Sequence, residues 1–192
     1  GHSCFEITGK DGTIVFDPYQ ANSVPGLNSL KLKANLVLCS HEHDDHNAKN
    51  CVEITPKDFK VACIETYHDH HQGSHRGKNT IHIVDFEDLK VVHMGDIGCM
   101  MDDVSKLKNC DVLMIPIGGY YTIDTKEALK YIERIQPRIV IPMHYRSHEF
   151  GYDVLSTNEE FIQQSSNIVY VDDSLEVTKE TKGQTVILKT AL

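Results

Sequence analysis

His41-Glu42-His43-Asp44-Asp45-His46 sets three imidazoles and a carboxylate, His41, His43, Asp45 and His46, in His-x-His-x-Asp-His spacing. Packing alone gives no reason to keep such groups together, whereas zinc-type sites are built from this donor chemistry. The stretch follows Leu36-Val37-Leu38-Cys39, an apolar run that reads as a short buried strand. The donors therefore lie on the loop leaving the C-terminal end of a strand, where open α/β sheets place their ligand sites. The helical zinc-protease motif is excluded, because it needs a histidine at position 45, where this chain has Asp45. Two donor sets are implied: His41 and His43 can close on one ion, and Asp45 with His46, turning away on the loop, on a second.

Composition narrows the function classes. The 192 residues suffice for one domain with a substantial core, and a single domain over 1–192 is expected. A net charge of -9 argues against a nucleic-acid surface; a small-molecule substrate is expected. The longest apolar runs, such as Asp111 to Ile117, are far short of the roughly 18 residues of a membrane span. Six cysteines without a Cys-x-x-Cys pair, several inside apolar runs, read as free buried thiols, which with no visible targeting segment makes the cytoplasm the expected compartment. Homo-oligomerisation is left open.

Along the chain, Phe5 and Ile7 alternate with polar residues, Gly9-Lys10-Asp11-Gly12 supplies a turn and Thr13 to Phe16 returns, which predicts a hairpin. Residues 19–33 read as a surface loop and 58–67 as a strand. A second hairpin is expected from 79–86 and 89–94, then a short helix through Val104 and Leu107. Asp111 to Ile117 is a continuous apolar run, typical of a strand buried on both faces. The clearest helix spans Thr125 to Ile135: Asp124 with Glu127 forms a capping box, Leu129, Ile132 and Ile135 an apolar stripe, and Pro137 a stop. Residues 138–142 read as a buried strand, 158–164 as a helix with Ser and Thr before Glu, and 167–188 as a terminal hairpin.

Four of these strand-like runs end on a residue able to bind metal: Leu36 to Cys39 before His41, Val61 to Tyr67 before His68, Val91 to Met94 before Asp96, and Ile139 to Pro142 before His144. Side chains remote in sequence thus converge on one edge of a sheet. A metal-storage protein, for which twelve histidines might be quoted, has no need of donors at four separate strand ends.

The motifs His41-x-His43-x-Asp45-His46, Gly95-Asp96 at a strand end and Pro142-Met143-His144-Tyr145 resemble those of the metallo-β-lactamase-fold hydrolases. The opening Gly1-His2-Ser3-Cys4-Phe5, Asp17-Pro18-Tyr19, Arg76-Gly77-Lys78-Asn79 and Pro116-Ile117-Gly118-Gly119 resemble the single-domain branch that contains ascorbate-phosphate lactonase. The resemblance implies an α/β fold, the four-layer αββα sandwich. It implies that His41, His43 and His68 hold one divalent ion, that Asp45, His46 and His144 hold another, and that Asp96 bridges them. Histidine count alone leaves His70, His71 and His75 as competitors of His68, which is preferred because it stands first after its strand. His82 and His93, inside strand-like runs, read as structural. Asp17 resembles a carboxylate that orients a metal-bound imidazole; His2 lines the site.

The implied enzyme is a binuclear metal-dependent hydrolase that cleaves a small anionic lactone or phosphoester with a hydroxide shared by two ions. Zinc suits the imidazole-rich set, and manganese or iron is compatible with the mixed oxygen donors. Asp45 and Asp96 are the expected catalytic carboxylates, with Tyr145 as an oxyanion donor and Arg76, Lys78 and Arg146 as phosphate contacts. The alternatives are a non-catalytic metal-binding protein and a phosphodiesterase or nuclease of the same fold. A redox di-iron centre on this fold would carry glutamate where His43 stands.

Overall fold

A computed structural model describes residues 1–190. In chain order it contains β1 (Phe5–Gly9), β2 (Gly12–Phe16), β3 (Leu32–Ala34), β4 (Leu36–Leu38), β5 (Val52–Ile54), β6 (Lys60–Tyr67), β7 (Lys78–Phe86), β8 (Leu89–His93), β9 (Val112–Pro116), α1 (Thr125–Ile135), β10 (Ile139–Met143), α2 (Glu159–Gln164), β11 (Ile168–Val171) and β12 (Gln184–Leu188). The strands form a three-stranded sheet β1-β2-β4, a seven-stranded sheet β11-β12-β10-β9-β8-β7-β6 and a two-stranded ribbon β3-β5.

Periodicity explains the layering. β9 and β10 are buried at every position, as expected of parallel strands covered on both faces. One face of the large sheet packs on the small sheet through Val84, Met114, Ile141 and Val186 against Ile14 and Phe16. The other face packs Val92, Leu113 and Ile115 on Ala128, Tyr131 and Ile135 of α1 and Phe161 of α2. The outer face of the small sheet is covered through Val15 by Ala34 and Val52 of the ribbon. The order is that of the αββα sandwich, with a thin fourth layer made of the ribbon and the 3-10 turn Lys49–Cys51. No helix among the described residues is long and apolar enough to cross a membrane.

Several expectations are corrected. The segment 167–188 is not a hairpin: β11 and β12 run parallel, with Ile168 opposite Thr185. A parallel pair needs a crossover of about a dozen residues, and 172–183 supply it. β4 is half-buried rather than buried, because it is the edge of the small sheet. The stretch through Val104 and Leu107 closes only one 3-10 turn, Ser105–Leu107. Helix α2 begins after Asn158 without a side-chain cap. Only Cys110 of the six cysteines is buried, and Cys63 is exposed. The ribbon, in three-residue strands too short to show a period, escapes sequence reading.

Helix α1 keeps its predicted bounds, with both capping-box bonds: Glu127 N to Asp124 Oδ1 at 2.9 Å and Asp124 N to Glu127 Oε2 at 3.2 Å. Its buried face runs through Ala128, Tyr131 and Ile135, while Leu129 and Ile132 flank it half-buried. Tyr131 can take the central place because its hydroxyl donates to Cys99 O at 2.9 Å and accepts from Met101 N at 2.8 Å. Asp124→Ala is expected to lower stability by about 1 kcal/mol and the melting temperature by a few degrees. Thermal denaturation of the metal-free protein checks this, and an unchanged transition contradicts it.

Candidate metal centre

β6 and β8 both run antiparallel to β7, and β9 and β10 continue parallel to β8, so the C-terminal ends of all four strands share one edge. His68, Asp96 and His144 follow the ends of β6, β8 and β10 there. The loop after β4 is tied to the same edge by Thr80 N donating to Ser40 O at 2.8 Å. At Asp17 and His144 the chain turns off its strand in the left-handed region, with φ of 40° and 53°. For residues other than glycine this costs on the order of 1–3 kcal/mol each and is retained where the surroundings enforce it, typically at functional sites. Close backbone approach is needed too: a Cβ on Gly98 would lie 2.4 Å from the carbonyl carbon of His68, and one on Gly118 2.1 Å from His144 O.

Three groups of side chains result. The donor atoms of His41, His43 and His68 lie within 4.8 Å of one another, as do those of His2, Asp45, His46 and His144, and those of His41, His46 and Asp96. The third group connects the other two. Asp96 Oδ2 is 3.0 Å from His144 Nε2, 3.2 Å from His46 Nε2 and 3.5 Å from His68 Nε2. Donors bound at about 2.1 Å to one ion stand about 3.0–3.4 Å apart at octahedral or tetrahedral angles, so this spacing suits a cation.

Hydrogen bonding separates these histidines from structural ones. His82 uses both nitrogens, with Cys63 Sγ at 3.5 Å and Cys39 O at 3.1 Å, and His93 likewise, with Ser3 O at 2.9 Å and Gly95 N at 3.2 Å. By contrast, six of the eight buried side-chain polar atoms without a partner among the described residues are nitrogens of His2, His41, His46, His68 and His144. Leaving such atoms unpaired is costly unless something absent from the polypeptide meets them.

Asp17 sets the ring orientations. It accepts from Ser40 N and from Ser40 Oγ, each at 2.7 Å, and from His46 Nδ1 at 2.8 Å. With its proton given to Asp17, the Ser40 hydroxyl accepts from His41 Nδ1 at 2.9 Å. Both histidines therefore carry a proton on Nδ1 and turn Nε2 into the site. Burial works against ionising Asp17, but the charge of His46, with its hydrogen bond, holds the carboxyl below its ordinary value. Asp96 is held well below for the same reason, burial being overcome by His144 and His46.

Of the other residues expected here, Tyr145 is buried against Phe150 in the helical core, and its hydroxyl meets Asn158. Lys78 is exposed, turned to the face opposite Asn79, and pairs with Glu65 at 3.2 Å. Arg146 donates to Leu155 O at 2.7 Å. His70, His71 and His75 are exposed on a loop whose backbone is organised by Asp69, which accepts from four N–H groups between His71 and Arg76.

Three residues escape sequence reasoning. Ser40 links Asp17 to His41, and its place directly before His41 is the only signal. Asn79 accepts from Asp96 N at 2.8 Å and donates to Thr66 Oγ1 at 2.9 Å and Met94 O at 3.0 Å, fixing the Asp96 turn. Tyr152, which no pattern marks, places its hydroxyl 3.2 Å from Asp45 Oδ2 across 107 positions.

Burial lowers His2 to about 4 and His41 to about 3, below the ordinary 6.5. The unfolded chain thus takes up protons first, and the stability of the metal-free protein is expected to fall as pH drops from 6.5 towards 4. His46 is raised well above 6.5 by Asp96 and Asp17 despite burial, so its contribution is complete below 6.5 and is lost at higher pH. Melting temperature against pH in chelator checks this; a flat profile between 4 and 6.5 contradicts it.

The model of the beta-lactamase superfamily domain matches residues 1–144. A UPF0173 metal-dependent hydrolase of Staphylothermus marinus is 32% identical over 190 residues, covering 77% of this chain and 82% of the relative. Another from Natranaerobius thermophilus is 28% identical, covering 92% and 97%. The crystal structure of a metallo-beta-lactamase superfamily protein from Thermotoga maritima superposes with a TM-score of 0.76 at 26% identity, covering 98% and 94%. Igni18, a metallo hydrolase from Ignicoccus hospitalis, shares the fold with a TM-score of 0.60 at 20% identity, covering 85% and 87%. The fold thus has counterparts that match most of this chain, and the chain belongs to the metallo-β-lactamase superfamily and, within it, to the UPF0173 metal-dependent hydrolases.

Proposed function

We propose that the chain is a binuclear hydrolase in which His41, His43 and His68 hold one divalent cation, Asp45, His46 and His144 a second, and Asp96 both. The observation that carries this reading is the position of Asp96 Oδ2, within 3.5 Å of imidazole nitrogens that follow three other strands. Divalent cations here, zinc by the imidazole content and manganese or iron by the oxygen donors, would polarise the scissile carbonyl or phosphoryl group and lower the pKa of water towards ~7.

The chain's own residues supply position and proton transfer. Burial works against ionising Asp45, but His2, whose Nε2 lies 3.3 Å away, and His46 hold the carboxyl below its ordinary value; on this reading its Oδ2 receives the proton of the attacking water. Tyr152, whose hydroxyl donates to Ser23 O at 2.7 Å, lies beside that oxygen, which Tyr145 does not reach. The Arg76 guanidinium lies 5.3 Å from the ring centre of Tyr121 and 5.9 Å from that of Tyr120, with no carboxylate partner among the described residues. Tyr121 meets Tyr152 edge to face at 5.9 Å, so an aromatic wall leads from this cation to Asp45. Arg76 is therefore the group to meet a substrate anion, while Lys78 and Arg146 are engaged elsewhere.

A panel of lactones, phosphodiesters, thioesters and β-lactams, assayed with zinc and with manganese, tests the reading with Asp96→Ala as the blank. A phosphorylated lactone is expected to turn over ahead of a phosphodiester, and both ahead of a β-lactam. Arg76→Ala should raise KM roughly ten-fold or more and change kcat less, since it removes binding common to ground and transition states. Turnover of no class above the blank by metal-loaded protein would favour the non-catalytic metal-binding alternative.

A further inference from the structure

We propose that His2 is a further metal ligand, the fourth protein donor of the set formed by Asp45, His46 and His144. The proposal rests on the binuclear reading and adds to it a residue outside the four strand-end positions. His2 is 3% exposed, and neither of its ring nitrogens has a hydrogen-bond partner. Its Nε2 approaches Asp45 Oδ2 to 3.3 Å without hydrogen-bond geometry, and its ring centre is 4.1 Å from that of His144.

A space-filling histidine in this core looks different. His82 and His93 are also buried, yet each has partners for both nitrogens. His2 instead holds a left-handed backbone, φ 54°, in a turn closed by Cys4 N donating to Gly1 O at 3.0 Å. The turn is pinned into the site from two sides: His144 N donates to His2 O at 3.2 Å, and His93 Nε2 donates to Ser3 O at 2.9 Å. The backbone strain and one of the two unpaired nitrogens are jointly explained if an ion takes that nitrogen.

The consequence is an asymmetric centre. With His2, the second position has four protein donors besides Asp96, and the position of His41, His43 and His68 is the more open of the two. A five-donor set suits a cation that accepts five or six ligands better than one restricted to four.

Cobalt(II) titration of metal-free protein, read by visible absorption and by metal analysis after equilibrium dialysis, tests this on wild type, His2→Ala and His2→Gln. Metal-free melting curves establish that the variants fold. Wild type should take up two equivalents. Both variants should keep the first equivalent, bind the second roughly ten-fold or more weakly, and show an altered band for it, and added imidazole should restore that band in His2→Ala. Unchanged affinity and spectrum in folded variants overturn the assignment, as does equal loss of both equivalents without imidazole rescue. Uptake of one equivalent by wild type would instead remove the binuclear reading, and the proposal with it.

Discussion

Asp17 is the carboxylate on which the site depends. It is fully buried, and its two oxygens hold the backbone and hydroxyl of Ser40 and the ring of His46, and through Ser40 the ring of His41. Without it, two imidazoles would be free to rotate or to change tautomer, and their Nε2 atoms would lose a common direction. The acid stands at the end of β2, the loop it organises follows β4, and the two strands pair parallel with Phe16 opposite Leu38. The register of a small sheet thereby fixes the geometry of a donor cluster.

The large sheet provides the other half. Three of its parallel-running strands, β6, β8 and β10, deliver His68, Asp96 and His144 to one edge, and Asn79 bonds the backbone on either side of the Asp96 turn. Left-handed backbone at His2, Asp17 and His144 shows how sharply the chain must turn to face these side chains inward. Those conformations are held by packed strands on both sides, so the rigidity of the sandwich and the convergence of the donors have a common origin.

Much of this was readable in sequence because it is local. The capping box of Asp124 and Glu127, the apolar runs of β9 and β10, and the recurrence of a metal-capable residue after four strands all depend on near neighbours. The parallel pairing of β11 with β12 was not readable, since direction depends on the crossover and on which strand β12 meets, here β10. Tyr145 and Tyr152 make the same point at the site: adjacency to His144 suggests the first, but the chain buries it in the helical core, and the second comes from a loop with no periodic signal. Among the histidines after β6, order along the chain pointed to His68, the one buried beside Asp96. Hydrogen-bond satisfaction, which separates His82 and His93 from the cluster, is visible only in three dimensions.

The most direct measurement is anomalous scattering from a crystal of the fully metallated protein, with data on both sides of the metal absorption edge. The account predicts two peaks about 3.5–4 Å apart with the Asp96 carboxylate between them, one bounded by His41, His43 and His68 and the other by Asp45, His46 and His144. A single peak at full loading, with Asp45 and His46 turned away from it, would contradict the account.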